Sequence, residues 1–177
     1  ISPSALETTI QAMRLAKESN TRVSFDSNLR LRLWTLDEAR AGIRQAIQLS
    51  DLFLPSLDDM TSLTGLSDPN DIVDWSHKTG AKQVVLKLGE NGALISDPET
   101  GIRTHLAGIS VQAVDATGAG DCFCGNLLAR LALGDSLIDA TTYANTAAAL
   151  TVQGWGAVAS LPQAAEVRKF AAALASA

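Results

Sequence analysis

The sequence predicts an α/β protein: a doubly wound, mainly parallel sheet flanked by helices. Three observations point there. Short apolar runs suited to strands alternate with stretches of helical period. Lys82 to Leu88 is nearly continuous in Val84, Val85, Leu86 and Leu88, as a strand buried on both faces should be. No heptad, internal repeat or low-complexity tract competes with this reading. With 177 residues, 46% of them apolar, the chain has enough material for one core, and residues 1–177 are expected to form a single α/β domain.

In chain order, Ser4-Ala5-Leu6-Glu7 fits a capping box, and Leu6, Ile10 and Met13 share one face of a helix running to about Ser19. Arg22 to Asp26 reads as a short strand. Thr35-Leu36-Asp37-Glu38 is a second capping box, opening a helix with Ala39, Ile43 and Ile47 inward. Asp51 to Leu54 is the next strand, ending at Pro55, and Ser56-Leu57-Asp58-Asp59 starts a helix that Gly65 stops. Asp68-Pro69 caps a helix that ends at Gly80. After the apolar strand, Gly89-Glu90-Asn91-Gly92 turns into Ala93 to Ser96, and Asp97 to Gly101 turns again into Ile102 to Leu106, a small antiparallel addition. The alternating run Ile109 to Val114 reads as a further strand. Helices are expected from Cys122 to Leu133 and from Leu137 to Val152, with Gly134-Asp135-Ser136 between them. A last one opens at Ser160-Leu161-Pro162, with Val167, Phe170 and Leu174 inward.

Composition removes several classes of function. The net charge is −5 and no basic run occurs, which leaves nucleic-acid binding little electrostatic support. No apolar stretch is long enough for a bilayer and no signal peptide is legible, so a cytoplasmic location is expected, with no membrane partner. Cys122 and Cys124 fall on different sides of a helix and are expected to be reduced. With only His77 and His105 besides, a zinc site lacks ligands. A P-loop would need G-x-x-x-x-G-K-[ST], which is absent. A dinucleotide fold would place its glycines after the first strand, whereas here they come late.

Those late glycines lie in Asp115-Ala116-Thr117-Gly118-Ala119-Gly120-Asp121, between the expected strand and a helix. Such a turn aims backbone N–H groups and the positive end of a helix dipole at one point, where an anion is stabilised without side chains. Small residues let a phosphate come close. Asp121 has two readings. A carboxylate in a first helical turn is an ordinary cap; beside a held phosphoryl group it is also placed to take a proton from a hydroxyl.

The seven residues resemble the D-x-T-G-A-G-D signature of the ribokinase-like (PfkB) family of carbohydrate kinases. The resemblance implies that Asp121 is the catalytic base and that Gly118, Ala119 and Gly120 supply the anion hole. It also implies ATP with Mg2+ as cofactors, Thr117, Gly118 and Gly120 at the nucleotide phosphates, and Asp115 at a monovalent cation. Members of the family are much longer, and nothing here matches their amino-terminal half. The chain is therefore expected to be the nucleotide-binding, base-bearing part of a longer sugar kinase. Homo-oligomers are open to that longer protein. A catalytically inactive piece with only nucleotide-binding or self-association capacity is the alternative.

The loop after the first strand, Asp26-Ser27-Asn28-Leu29-Arg30-Leu31-Arg32-Leu33-Trp34, reads either as solvated surface or as a ligand loop at the carboxyl end of a strand. Its D-x-N-x-R-x-x-L-W pattern is similar to 2-keto-3-deoxygluconate kinases within the family. That similarity implies an acid sugar bound by Arg30, whose guanidinium matches a carboxylate, with Asn28 beside it. Fructokinase- and ribokinase-type substrates are the alternatives. Ser27 stands where family members often have Pro.

Other positions are weaker. Many members carry N-x-x-E where this chain has Ser56 and Asp59, so Asp59 is expected to be at most an outer-sphere magnesium residue. Lys87, Gly89 and Gly92 match a K-x-G-x-x-G stretch that lies near the nucleotide phosphates in relatives; on chemistry alone Lys87 is equally an ordinary snorkelling lysine. The alanine-rich helix around Asn145 suits close helix packing, and in the family it forms one wall for adenine, which places Asn145 and Ala148 at the base. The loop Gln153 to Ala157 is expected near the adenine and the cation.

Overall fold

The computed structural model describes residues 1–175. Five strands form one sheet whose spatial order is the chain order. They are β1 (Ser24–Phe25), β2 (Leu52–Phe53), β3 (Gln83–Lys87), β4 (Ala93–Asp97) and β5 (Ile102–Leu106). β1 lies parallel to β2 with Ser24 opposite Leu52, and β2 parallel to β3 with Phe53 opposite Val84. Residues 88–92 and 98–101 are too short for crossovers, so β3, β4 and β5 follow one another as hairpins. The result is the expected mixed, mostly parallel sheet flanked by helices.

The described residues fall into two compact units. The first comprises Ile1–Leu88 and Leu94–Thr104. It holds α1 (Pro3–Glu18), α2 (Leu36–Leu49), α3 (Leu57–Thr64) and α4 (Pro69–Thr79). Ala39, Ile43 and Ile47 of α2, Met60 and Leu63 of α3, and Ile72 and Val73 of α4 bury against Phe53, Val84 and Leu86. Burial of such side chains is the main stabilising term of the unit, about 1.5–3 kcal/mol each. Phe25 stacks on Phe53 with centroids 5.7 Å apart, and α1 packs through Ile10 and Met13 onto Ala46 and Leu49 of α2. Four helices start where a polar side chain accepts from the first turn: Ser2, Thr35, Ser56 and Asp68.

The second unit comprises Gly89–Ala93 and the chain from His105 onward. Its helices are α5 (Ala119–Ala132), α6 (Leu137–Thr151) and α7 (Ala164–Leu174). Cys122 of α5, Ala147 of α6 and Val167 of α7 form its core, with Tyr143 and Leu150 against them. Ala140, Ala144 and Ala147 are fully buried, so one side of the alanine-rich helix serves close packing. Neither Cys122 nor Cys124 is in a disulfide.

Several boundaries differ from the sequence expectation. The first helix is capped by Ser2 rather than Ser4, because Pro3 suits the first helical position with its preset φ. β1 is only two residues long. The last helix begins after Gln163, where Glu166 closes back on the Gln163 amide at 2.6 Å, and of its expected inward residues only Val167 is buried. Ile109 to Val114 is not a strand. Its alternation survives as half-buried Ile109 and Val111, yet no strand lies beside it among the described residues, and the Val114 and Asp115 amides donate instead to the Val152 carbonyl at the end of α6. Periodicity specifies a face; a ladder also needs a partner.

Candidate functional site

In the second unit, the Asp115–Asp121 stretch is shaped by one carboxylate. Asp115 Oδ1 accepts from the Thr117 amide at 2.9 Å and from Thr117 Oγ1 at 2.6 Å, while Oδ2 accepts from the Gly156 amide at 2.9 Å. The Thr117 hydroxyl first, then the Thr117 and Gly156 amides, hold the Asp115 carboxyl below the usual carboxylate range. Gly118 follows at φ 78°, in the left-handed region. A Cβ there would stand 3.0 Å from Ala157 Cβ and 3.1 Å from its carbonyl oxygen, so the backbone conformation favours glycine and a side chain would also crowd Ala157.

α5 begins directly after Gly118 with no side-chain cap. The Cys122 amide donates to Gly118 O and the Ala119 amide to Ala116 O. The Gly118, Gly120 and Asp121 amides donate to no acceptor among the described residues. A left-handed residue followed by helical ones turns successive N–H groups inward, the geometry of an anion nest. Asp121 is exposed, and no hydrogen bond or ion pair engages its carboxylate among the described residues. One residue on, buried Cys122 accepts a hydrogen bond at Sγ from Thr151 Oγ1 at 3.0 Å, which ties the first turn of α5 to the end of α6. Thr151, Val152, Gly156 and Ala157 thus surround the motif; Gly156 and Ala157 lie in the loop expected near the cation, whereas nothing in the sequence marks Thr151 or Val152 as site residues. The glycine and the loop were visible; a tie across some thirty to forty residues was not.

The same unit gathers other expected nucleotide residues. Asn145 Nδ2 donates to Ala107 O at 3.0 Å. Gly92 meets the same segment so closely that a Cβ would stand 2.1 Å from Leu106 O, and a Cβ on Gly108 would stand 1.7 Å from Glu90 O. Gly89 begins the 3-10 turn that leads into this contact. Asn145, Ala148 and Val152 follow one another at three- and four-residue steps, one stripe of α6 covering about 10 Å from Asn145 to the carbonyl that anchors the motif. Gly108 had no sequence signal beyond being a glycine.

In the first unit, the remaining expected residues meet at the carboxyl ends of β1 and β3 and the start of α3. Lys87 Nζ lies 2.6 Å from Asp26 Oδ2, a largely buried pair that sequence spacing did not reveal. Asp26 Oδ1 accepts from the Asn28 amide at 3.1 Å. Asp59 Oδ2 accepts from Ser27 Oγ and from the Leu29 amide, each at 3.0 Å. Asn28 and Arg30 are exposed, and Arg30 Nη1 donates only to Leu29 O among the described residues. Lys87 is thus engaged by the Asp26 loop, and the first signal for this was available: both residues end strands of one parallel sheet. Among the described residues no cluster of three or more His, Cys, Asp or Glu could hold a metal, and no helix is long and apolar enough to cross a membrane.

The fold is that of ribokinase-like proteins. A putative ribokinase II from Escherichia coli, solved with ATP and Mg2+, superposes with a TM-score of 0.87 at 28% identity, covering 97% of this chain and 55% of that one. The model of the pfkB family of carbohydrate kinases matches residues 1–164, and the chain belongs to that family. It is 35% identical over 166 residues to probable fructokinase-7 of Arabidopsis thaliana, covering 88% of this chain and 48% of the relative. It is 29% identical over 162 residues to 2-dehydro-3-deoxygluconokinase of Escherichia coli strain K12, covering 89% and 52%. The chain spans about half the length of the curated relatives it matches.

Proposed function

We propose that the chain carries the phosphoryl-transfer machinery of an ATP-dependent sugar kinase. The observation that carries this is the sequence of three free amides and one free carboxylate at the start of α5. The Gly118, Gly120 and Asp121 amides hold the phosphoryl group as charge develops on it. Asp121 removes the proton from the attacking sugar hydroxyl at its exposed carboxylate. The α6 stripe of Asn145 and Ala148 receives the base of the nucleotide, which leaves about 10 Å of helix between base and anion hole. Asp115, together with the loop after α6, takes a monovalent cation. Magnesium bound with ATP would supply neutralisation of the phosphate charge.

The favoured acceptor is a sugar acid such as 2-keto-3-deoxygluconate, because Arg30 presents an exposed guanidinium for a carboxylate. A neutral hexose is the second reading, favoured by the likeness to the Arabidopsis fructokinase. The test is Asp121→Asn in the full chain, assayed for transfer from ATP to each sugar. A fall in turnover of about a hundredfold or more with nucleotide affinity retained supports the base assignment, and a fall of less than about tenfold overturns it.

A further inference from the structure

Asp59 invites assignment to the metal, but its hydrogen bonds serve another purpose. One oxygen, Oδ2, accepts from Ser27 Oγ and from the Leu29 amide, both at 3.0 Å, so it grips the chain on either side of Asn28. Asn28 sits between these anchors at φ 34°, a left-handed backbone uncommon for any residue but glycine. A second carboxylate, Asp26, accepts from the Asn28 amide and is itself held by Lys87. Ser27 is 8% exposed and Leu29 8%, while Asn28 and Arg30 are exposed. The anchors are therefore buried and the two side chains between and after them are presented outward.

We propose that Asp59 is a positioning residue for the Asn28–Arg30 loop, acting through Ser27 and the Leu29 amide, and that it sets sugar affinity without holding magnesium. The effect on sugar rests on the substrate reading above; the effect on the loop does not. The serine hydroxyl is integral to the device. It supplies a second donor to Asp59 that an alanine or proline at residue 27 cannot.

Two substitutions separate positioning from metal binding. Asp59→Asn keeps a carbonyl oxygen where Oδ2 accepts, so the loop should stay in place although the charge is gone. Asp59→Ala removes the acceptor. In the full chain, hydrogen exchange of the Leu29 amide reads the loop directly. The expected result is that Asp59→Ala speeds Leu29 exchange by at least about tenfold, that Asp59→Asn stays within about threefold, and that Ser27→Ala falls between them. Affinity for 2-keto-3-deoxygluconate should follow the same order, while Mg2+ affinity measured with ATP stays unchanged in Asp59→Asn. Unchanged Leu29 exchange in Asp59→Ala overturns the proposal. So does equal loss in both Asp59 variants accompanied by loss of Mg2+ affinity. If the unmodified chain binds no sugar acid, the substrate reading fails, and Leu29 exchange alone still decides the role of Asp59.

Discussion

The Gly156 amide donates to the Asp115 carboxylate across a sequence separation of 41 residues, at 2.9 Å. This bond closes the loop after α6 against the turn before α5 and brings Ala157 up to Gly118. The shape of the anion nest therefore depends on a loop that contributes no atom to it.

Gly118→Ala should damage the nest twice, through the left-handed φ of 78° and through contact with Ala157 at 3.0 Å. The backbone penalty alone is about 1–2 kcal/mol. Adding Ala157→Gly should relieve only the Cβ contact and leave both the 3.1 Å contacts with the backbone of residue 157 and the penalty of the left-handed φ, so the double variant recovers part of the lost melting temperature and ATP affinity. Full recovery would show that φ does not matter at this position.

Gly108→Ala should be among the most destabilising single changes in the second unit, on the order of 3 kcal/mol or more, because the clash is with the backbone of Glu90. Gly125→Ala makes a matched control. It lies exposed within α5 with nothing near its added Cβ, and should stabilise by up to about 1 kcal/mol. Thermal melts of both variants test the pair.

Much of the first unit was legible because its signals are local. Thr35 and Glu38, Ser56 and Asp59, and Asp68 before Pro69 each act within one helical turn, and each caps its helix as read. The catalytic-looking stretch was legible for the same reason: its donors are consecutive. The ties that hold it were not, since Thr151 to Cys122 and Gly156 to Asp115 depend on how α6 returns to α5. Ile109 to Val114 failed in the opposite sense. Its alternation was clear, and the partner that would have made it a strand is missing among the described residues.

Arg30→Gln should weaken binding of a sugar acid by about 10- to 100-fold, the value of a hydrogen bond between charged groups, and leave a neutral hexose within a few-fold. Parallel titrations with 2-keto-3-deoxygluconate and fructose decide it. Equal loss for both sugars would count against a carboxylate-binding role.

Asp51 should govern acid stability in the first unit. Burial pushes its carboxyl up, but hydrogen bonds from Lys17, Lys82 and the Val23 amide outweigh this and leave it well below its ordinary value. A carboxylate depressed in the folded state adds stability that is fully present above its unfolded value of about 3.9 and is lost as pH falls through the folded one. Asp51→Asn should lower stability at pH 7 by about 1–2 kcal/mol, Lys82 being largely exposed. It should also flatten the decline below about pH 4, which melts across pH 2–7 would show.

Among the described residues, five of the seven helices begin with a side chain that accepts from their first turn; α5 has glycine at its N-cap and leaves its first donors to solvent. That omission couples occupancy to endurance. Whatever anion settles on those amides does for α5 what Ser136 does for α6, so the heat tolerance of the second unit should rise with the concentration of phosphate groups around it. For this unit, binding and the last step of folding become one process.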